Sequence, residues 1–210
     1  MSQTASAPVS RKTRGPSTAK TENTRLSVMQ AALQEFMAQG FANAKISNIS
    51  RNAGVAKGSV YNYFPDKETL FEGVLTAFIS TAKLEMQAHE RQPGESVKMF
   101  LKRVLLPVIA GIETTGRAQI ARLIMSEGAR FPDLAAAYVR EVHQPLLDTV
   151  TDLINIARSE GELKDERLAA FPCLLLAPNW FGMVHNGMLN PAAPLDIGAL
   201  FEAGIDIFFK

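Results

Sequence analysis

Lys45-Ile46-Ser47-Asn48-Ile49-Ser50-Arg51-Asn52-Ala53-Gly54-Val55-Ala56-Lys57-Gly58-Ser59-Val60-Tyr61-Asn62-Tyr63-Phe64 is the stretch whose reading decides the fold. Ile46, Ile49 and Ala53 recur at i, i+3 and i+7, which gives a short first helix one apolar stripe. Gly54 sits in the connection between that helix and the next. Two helices meeting at roughly 90 to 120° need a tight turn there, and a glycine supplies left-handed backbone without steric cost. Val55 and Val60 can close the wedge from the second helix. Its other face, with Lys57, Ser59, Tyr61, Asn62 and Tyr63, is left free to meet a groove. The pattern is that of a helix-turn-helix motif over about 45–64.

The flanks supply the platform. A helix is expected from Thr21–Thr24 to Gln39, with Val28, Met29, Ala32, Leu33 and Phe36 as its buried stripe and Gly40 as its stop. Downstream, Pro65 and the N-cap residue Asp66 announce a fourth helix, buried along Leu70, Val74 and Phe78 with Phe71 and Leu75 beside them.

Gly40-Phe41, Ile46-Ser47-Asn48-Ile49 and the run from Ala53 to Leu70 together resemble the N-terminal domain of the TetR family of transcriptional regulators. The resemblance implies an all-α chain: an N-terminal three-helix DNA-binding domain, then a C-terminal helical domain for ligand binding and dimerisation. It also implies that the Tyr63 hydroxyl donates to a phosphate and that Lys67 is a second backbone anchor. Lys57 and Ser59, at the start of the recognition helix, have the chemistry for phosphate contact. Ala56, Gly58, Tyr61 and Asn62 are the expected readers of base edges in the major groove. One of the two tyrosine rings could instead pack against the first helix. Asn62 stands where the family often has His, and its amide suits either adenine or a phosphate.

Another departure precedes the second helix. Ala44 and Lys45 stand where relatives carry hydroxyl residues, so the usual cap is missing; its loss typically costs on the order of 1 kcal/mol. Lys45 can replace the lost phosphate donor with a point charge.

Composition is consistent with this reading. The 210 residues are 47% hydrophobic, enough for one small head and a larger helical domain. The net charge of +1 conceals a division: residues 1–70 carry +5 and residues 71–210 carry −4. Positive charge is therefore concentrated where DNA would bind. Arg11, Lys12, Arg14 and Lys20 decorate a tail with too little apolar content to fold, either merely solvated or an arm that reaches the DNA backbone or minor groove. That tail has no apolar core of a signal peptide. Cys173 is the only cysteine, which excludes an intrachain disulfide. The longest apolar run, Leu168 to Val184, is interrupted by Pro172 and Pro178 and carries Asn179, so a buried interface helix is expected and a membrane span is not.

Beyond residue 80 the chain reads as helices separated by breakers, with no strand alternation. Ser96 can cap a helix that Pro107 kinks, and Phe131-Pro132 opens a long helix ending at Gly161. The last two helices, roughly Ala169 to Leu189 and Leu195 to Phe209, are apolar on most faces and are expected to pair with their two-fold mates in a homodimer. The resemblance puts the dimer interface there too.

The expected organisation is a basic tail (1–20), a DNA-binding domain (21–67) and an effector-binding and dimerisation domain (68–210). Met86, Phe100, Met125, Trp180, Phe181, Met183 and His185 are candidate walls for an apolar small-molecule effector, each with ordinary core or interface as the alternative. His89, His143 and His185 lack metal-ligand spacing, and no nucleophile elbow or phosphate loop is present, so neither metal nor cofactor is expected. The reading is a cytoplasmic regulator that is not an enzyme, a repressor released from a near-palindromic double-stranded operator by its ligand. An activator of the same architecture is the alternative, ahead of a helical enzyme with a DNA-binding head or an architectural DNA protein.

Overall fold

Local stop signals cut the first seventy residues into the helices that the pattern anticipates. The computed structural model describes the backbone of residues 18–87 and 89–210 and the side chains of 21–77 and 89–210. Most of the basic tail, and the side chains of Phe78 and Met86, therefore lie outside the described residues. Helix α1 (Thr18–Asn43) starts ahead of the expected Thr21. Gly40 interrupts it with φ 71° and ψ 163°, a conformation almost confined to glycine. A β-carbon at that position would come within 2.5 Å of Glu127 Oε1.

Helix α2 (Ile46–Asn52) ends in a Schellman arrangement around Gly54, whose φ is 68°. The Val55 amide donates to the Ser50 carbonyl at 3.0 Å and the Gly54 amide to the Arg51 carbonyl at 3.1 Å. Helix α3 (Lys57–Tyr63) follows at once. Helix α4 (Lys67–Gln87) is capped as expected, the Thr69 amide donating to Asp66 Oδ1 at 2.7 Å. Val28, Met29 and Phe36 from α1, Ile49 from α2, Val60 from α3 and Leu70, Phe71 and Val74 from α4 are all buried in one core.

The remaining helices continue that core. Helix α5 (97–110) is capped by Ser96 Oγ, which accepts from the Met99 amide at 3.1 Å. It contains a π turn, Leu101–Leu105, and helix α6 (Arg117–Glu127) follows it. Helix α7 (132–159) contains a second π turn, Val139–His143, and is followed by a turn at Gly161, whose φ is 70°. Each of these π turns lies just before a proline, Pro107 and Pro145 respectively. Proline lacks an amide proton and crowds the carbonyl four residues back, here that of Arg103 or Glu141, and a widened turn relieves both problems. The kink expected at Pro107 takes this form; the one at Pro145 was not anticipated.

Helix α8 (Arg167–Ala170) is separated by Pro172 from α9 (173–189), and α10 (Ile197–Phe208) closes the fold, its first turn capped by Asp196. The expected single helix from Ala169 is thus broken at Phe171-Pro172. Among the described residues there is no strand, only an isolated antiparallel bridge between Leu163 and Phe209. None of the described helices is long and apolar enough to cross a membrane.

Packing joins the head to the body through shared helices. Helix α6 lies against α1, α4 lies against both α1 and α7, and α10 lies against α9 and α5. Leu70, Phe71, Val74 and Leu75 sit in the core shared by both halves, so α4 belongs to head and body at once.

Candidate functional site

Helix α3 is held by a small wedge and presents the rest of itself to solvent. Val60 is fully buried, whereas Ala56, Lys57, Gly58, Tyr61 and Asn62 are exposed. Tyr61, 44% exposed, has the Lys57 ammonium 5.9 Å from its ring centroid. Tyr63 and Ser59 are half-buried; the Tyr63 ring packs on the core, 6.4 Å from that of Phe64. Of the two tyrosines, Tyr63 is therefore the one partly committed to packing. A cation, an open aromatic ring and an amide on one solvent face form a surface suited to a polyanion with readable edges.

The missing hydroxyl cap of α2 is replaced from a distance. Glu35, on α1 and 7% exposed, accepts through Oε1 from the Lys45 backbone amide at 3.1 Å and from Asn48 Nδ2 at 2.9 Å. A carboxylate at a helix N-terminus also meets the positive end of the helix dipole. The Lys45 side chain remains exposed. We expect Glu35→Ala to lower stability by about 2 kcal/mol, since two donors lose a charged acceptor. Glu35→Gln, which keeps an acceptor, should lose less. Urea denaturation of the three proteins checks this, and equal midpoints would refute the remote cap.

The family resemblance implies a phosphate anchor at Lys67, and in this structure the side chain is engaged within the head. Its ammonium donates to the carbonyls of Phe41 at 2.8 Å, Ala42 at 3.0 Å and Ala44 at 3.4 Å. It also lies 5.0 Å from the Phe41 ring centroid. These bonds occupy its three protons at the carbonyl end of α1, where a cation is favoured. Turning it towards a phosphate would break them.

A second feature lies between α5, α7 and α9: a cavity of about 470 Å³. Its walls include Phe100 and Val104 from α5, Tyr138 and Val142 from α7, and Leu176, Trp180 and Met183 from α9. The Trp180 ring makes edge contacts with Tyr138 at 6.1 Å and with His143 at 6.0 Å. Burial pushes the Tyr138 phenol up, keeping it protonated. Asn179 also borders the cavity, is 3% exposed, and has neither amide atom hydrogen-bonded.

Three of the candidates read from sequence, Phe100, Trp180 and Met183, are brought together here. Three are not. Phe181 is 56% exposed and stacks near His185, with ring centroids 5.9 Å apart, while His185 Nε2 contacts the Ala193 carbonyl at 3.1 Å. On α9 the positions 176, 179, 180 and 183 share one face, and 181 and 185 fall on another. Met125 is half-buried on α6 and does not line the cavity. Sequence reasoning missed Tyr138 and Asn179; the signal for Asn179 was a lone amide inside the longest apolar run. Among the described residues no group of His, Cys, Asp and Glu is placed to hold a metal ion.

Two stretches of the chain match known families. Residues 28–74 match the family described as bacterial regulatory proteins, tetR family, and residues 99–208, more than half of the chain, match that described as AefR-like transcriptional repressor, C-terminal domain. The HTH-type transcriptional regulator UidR of Escherichia coli (strain K12) is 25% identical over 163 residues, covering 78% of this chain and 81% of that protein. A TetR-family transcriptional regulator from Agrobacterium tumefaciens superposes with a TM-score of 0.73 at 17% identity, covering 90% of this chain and 100% of that one. Salmonella enterica GusR does so with a TM-score of 0.63 at 21% identity, covering 87% and 93%. With matches to both the reading head and the body that carries it, the chain belongs to the TetR family of DNA-binding transcriptional regulators.

Proposed function

We propose that the protein is a homodimeric repressor that holds a near-palindromic operator with two copies of α3 and releases it when a small apolar molecule enters the cavity between α5, α7 and α9. One observation carries this reading: α7, a wall of the cavity, packs on α4, and the ring of Phe64, at the end of α3, lies against Gly73 of α4. A guest that alters the setting of α7 therefore acts on the separation of the two reading helices. Those helices must enter successive major grooves about 34 to 36 Å apart. A thousandfold loss of operator affinity requires about 4 kcal/mol of difference between the ligand's affinities for the two states.

The dimer is proposed through the last two helices. Phe181, Met188, Leu189 and Ile207 (66% exposed), with Phe171 just ahead of α9, give their outer faces an apolar surface that a monomer leaves open to water. On the DNA side, Lys45, Lys57, Ser59 and Tyr63 are assigned to phosphates and Ala56, Gly58, Tyr61 and Asn62 to base edges. Lys67 is assigned to holding the end of α1 in place.

Selection of bound fragments from the source genome tests the reading, and the genes beside the enriched operator indicate the inducer. If no double-stranded fragment is preferred over random competitor at low salt without effector, the proposal fails. On the selected operator, Tyr63→Phe should weaken binding about tenfold on every sequence alike, because a charged hydrogen bond is lost. Asn62→Ala should relax preference at one position per half-site, where a good base contact discriminates by about 1–3 kcal/mol. Identical behaviour of the two variants would contradict the division of roles.

A further inference from the structure

We infer that the cavity takes an uncharged, largely apolar molecule bearing one amide-like group, and that Asn179 is the point at which that group is recognised. The inference rests on the reading of this cavity as the effector site and adds the chemistry of the guest.

A side-chain amide offers two donors and an acceptor. Asn179 is almost wholly buried, and both its polar atoms are closed to solvent and without a hydrogen-bond partner. It is the one buried side chain among the described residues with such orphaned atoms. An unpaired buried amide destabilises the fold, and native chains rarely keep one without a use. Its place is informative too. Leu176 and Met183 flank it on the same wall, Trp180 follows it, and Val104 and Val142 stand on the other walls, so the surrounding surface is apolar. A guest that reaches this wall brings its own donor and acceptor or leaves the amide unsatisfied.

None of the charged or titratable side chains of the walls, His89, Arg117, Glu141, His143 and Asp152, is buried. Glu141 is bonded to Arg140 at 2.7 Å, and Arg117 donates to Thr115 Oγ1 at 2.8 Å. Asp152 is exposed, and Glu141 and Arg117 are each only half-buried. Neither an anion nor a cation carried to the depth of Asn179 meets a buried counter-charge, and burying an unpaired charge is costly. An amide offers a donor and an acceptor to match both, and to meet it Asn179 has to turn its two polar atoms, now closed off, towards the cavity.

The test uses four probes of one shape: 4-tert-butylbenzamide, 4-tert-butyltoluene, 4-tert-butylbenzoate and 4-tert-butylbenzylammonium. Trp180 is the only tryptophan in the chain, so its emission reports occupancy of the cavity directly. The benzamide is expected to bind about 10- to 100-fold more tightly than the hydrocarbon, and the two ions more weakly than the benzamide. In full-length Asn179→Leu the preference for the amide should shrink to within about threefold. That variant should also melt about 2–10 °C higher than the parent, because the orphaned amide is gone. Asn179→Ala serves as a control for the shape of leucine and should lose the amide preference as well.

Equal affinity for the hydrocarbon, tightest binding of either ion, undiminished amide preference in both variants, or silence of Trp180 towards all four probes would each overturn the inference. If the amide binds with the expected preference yet leaves the operator complex intact, the inference stands and the proposed release mechanism falls.

Discussion

Raising monovalent salt from about 50 to 200 mM is expected to weaken operator binding by about 10³- to 10⁵-fold, the loss that accompanies some 6–10 phosphate contacts. The expectation follows from where the charge lies. The first seventy residues carry +5 and the rest −4, so attraction to a polyanion is localised on the head although the whole chain is nearly neutral. Within the head, the lysines are not equivalent. Lys57 is exposed on α3 and Lys45 is exposed at the start of α2, so each can neutralise a phosphate and release a counterion. Lys67 is bonded to three carbonyls inside the domain. Lys57→Gln should therefore reduce the steepness of log affinity against log salt by about 2 for a dimer, since each lost contact contributes about 0.9. Lys67→Gln should leave that slope nearly unchanged and lower the melting temperature. Fluorescence anisotropy on a labelled operator at several salt concentrations measures both. A slope that falls with Lys67→Gln but not with Lys57→Gln would reverse the assignment.

The difference between these two lysines also marks the limit of what a sequence can disclose. Features set by neighbours in the chain were legible: the Gly54 turn, the Asp66 and Ser96 caps and the stop at Gly40 all depend on a few consecutive residues. Partners far apart in sequence were not. Lys67 reaches carbonyls about 25 residues before it, and Glu35 caps a helix whose N-cap residue lies ten residues later. Both bonds exist because α1, α2 and α4 converge, which no local pattern encodes. The cavity was half legible for a related reason. Helix α9 is apolar on nearly every side, so hydrophobic periodicity could not say which face turns inward. Trp180 and Met183 were chosen alongside Phe181 and His185, and only the cavity that α9 shares with α5 and α7 separates the pairs. Pro145 was overlooked because the stripe around it stays helical; its effect is a wider turn, not a break.

Phe41→Ala is expected to cost about 3–5 kcal/mol of stability, a larger loss than that of Glu35→Ala. Phe41 is 1% exposed and lies just beyond the Gly40 interruption, where head and body meet. Its ring centroid is 5.3 Å from Phe36, 6.0 Å from Phe71 and 5.1 Å from Phe131. Phe36 and Phe71 belong to α1 and α4 of the head, whereas Phe131 leads into α7, the helix that forms a wall of the cavity. Removing the ring leaves a void among three aromatics and strips the Lys67 ammonium of its aromatic neighbour. It also loosens the contact by which α7 bears on the reading head. Phe41→Leu separates these effects, because it fills most of the space and should cost only about 1 kcal/mol. If the aromatic contact transmits ligand occupancy, Phe41→Leu remains folded and binds the operator, yet a ligand that releases the parent a thousandfold should release it at least tenfold less. Urea denaturation gives the stability, and operator titrations with and without ligand give the coupling. Full release by Phe41→Leu would mean that occupancy of the cavity reaches α3 by α4 alone, without the aromatic bridge at Gly40.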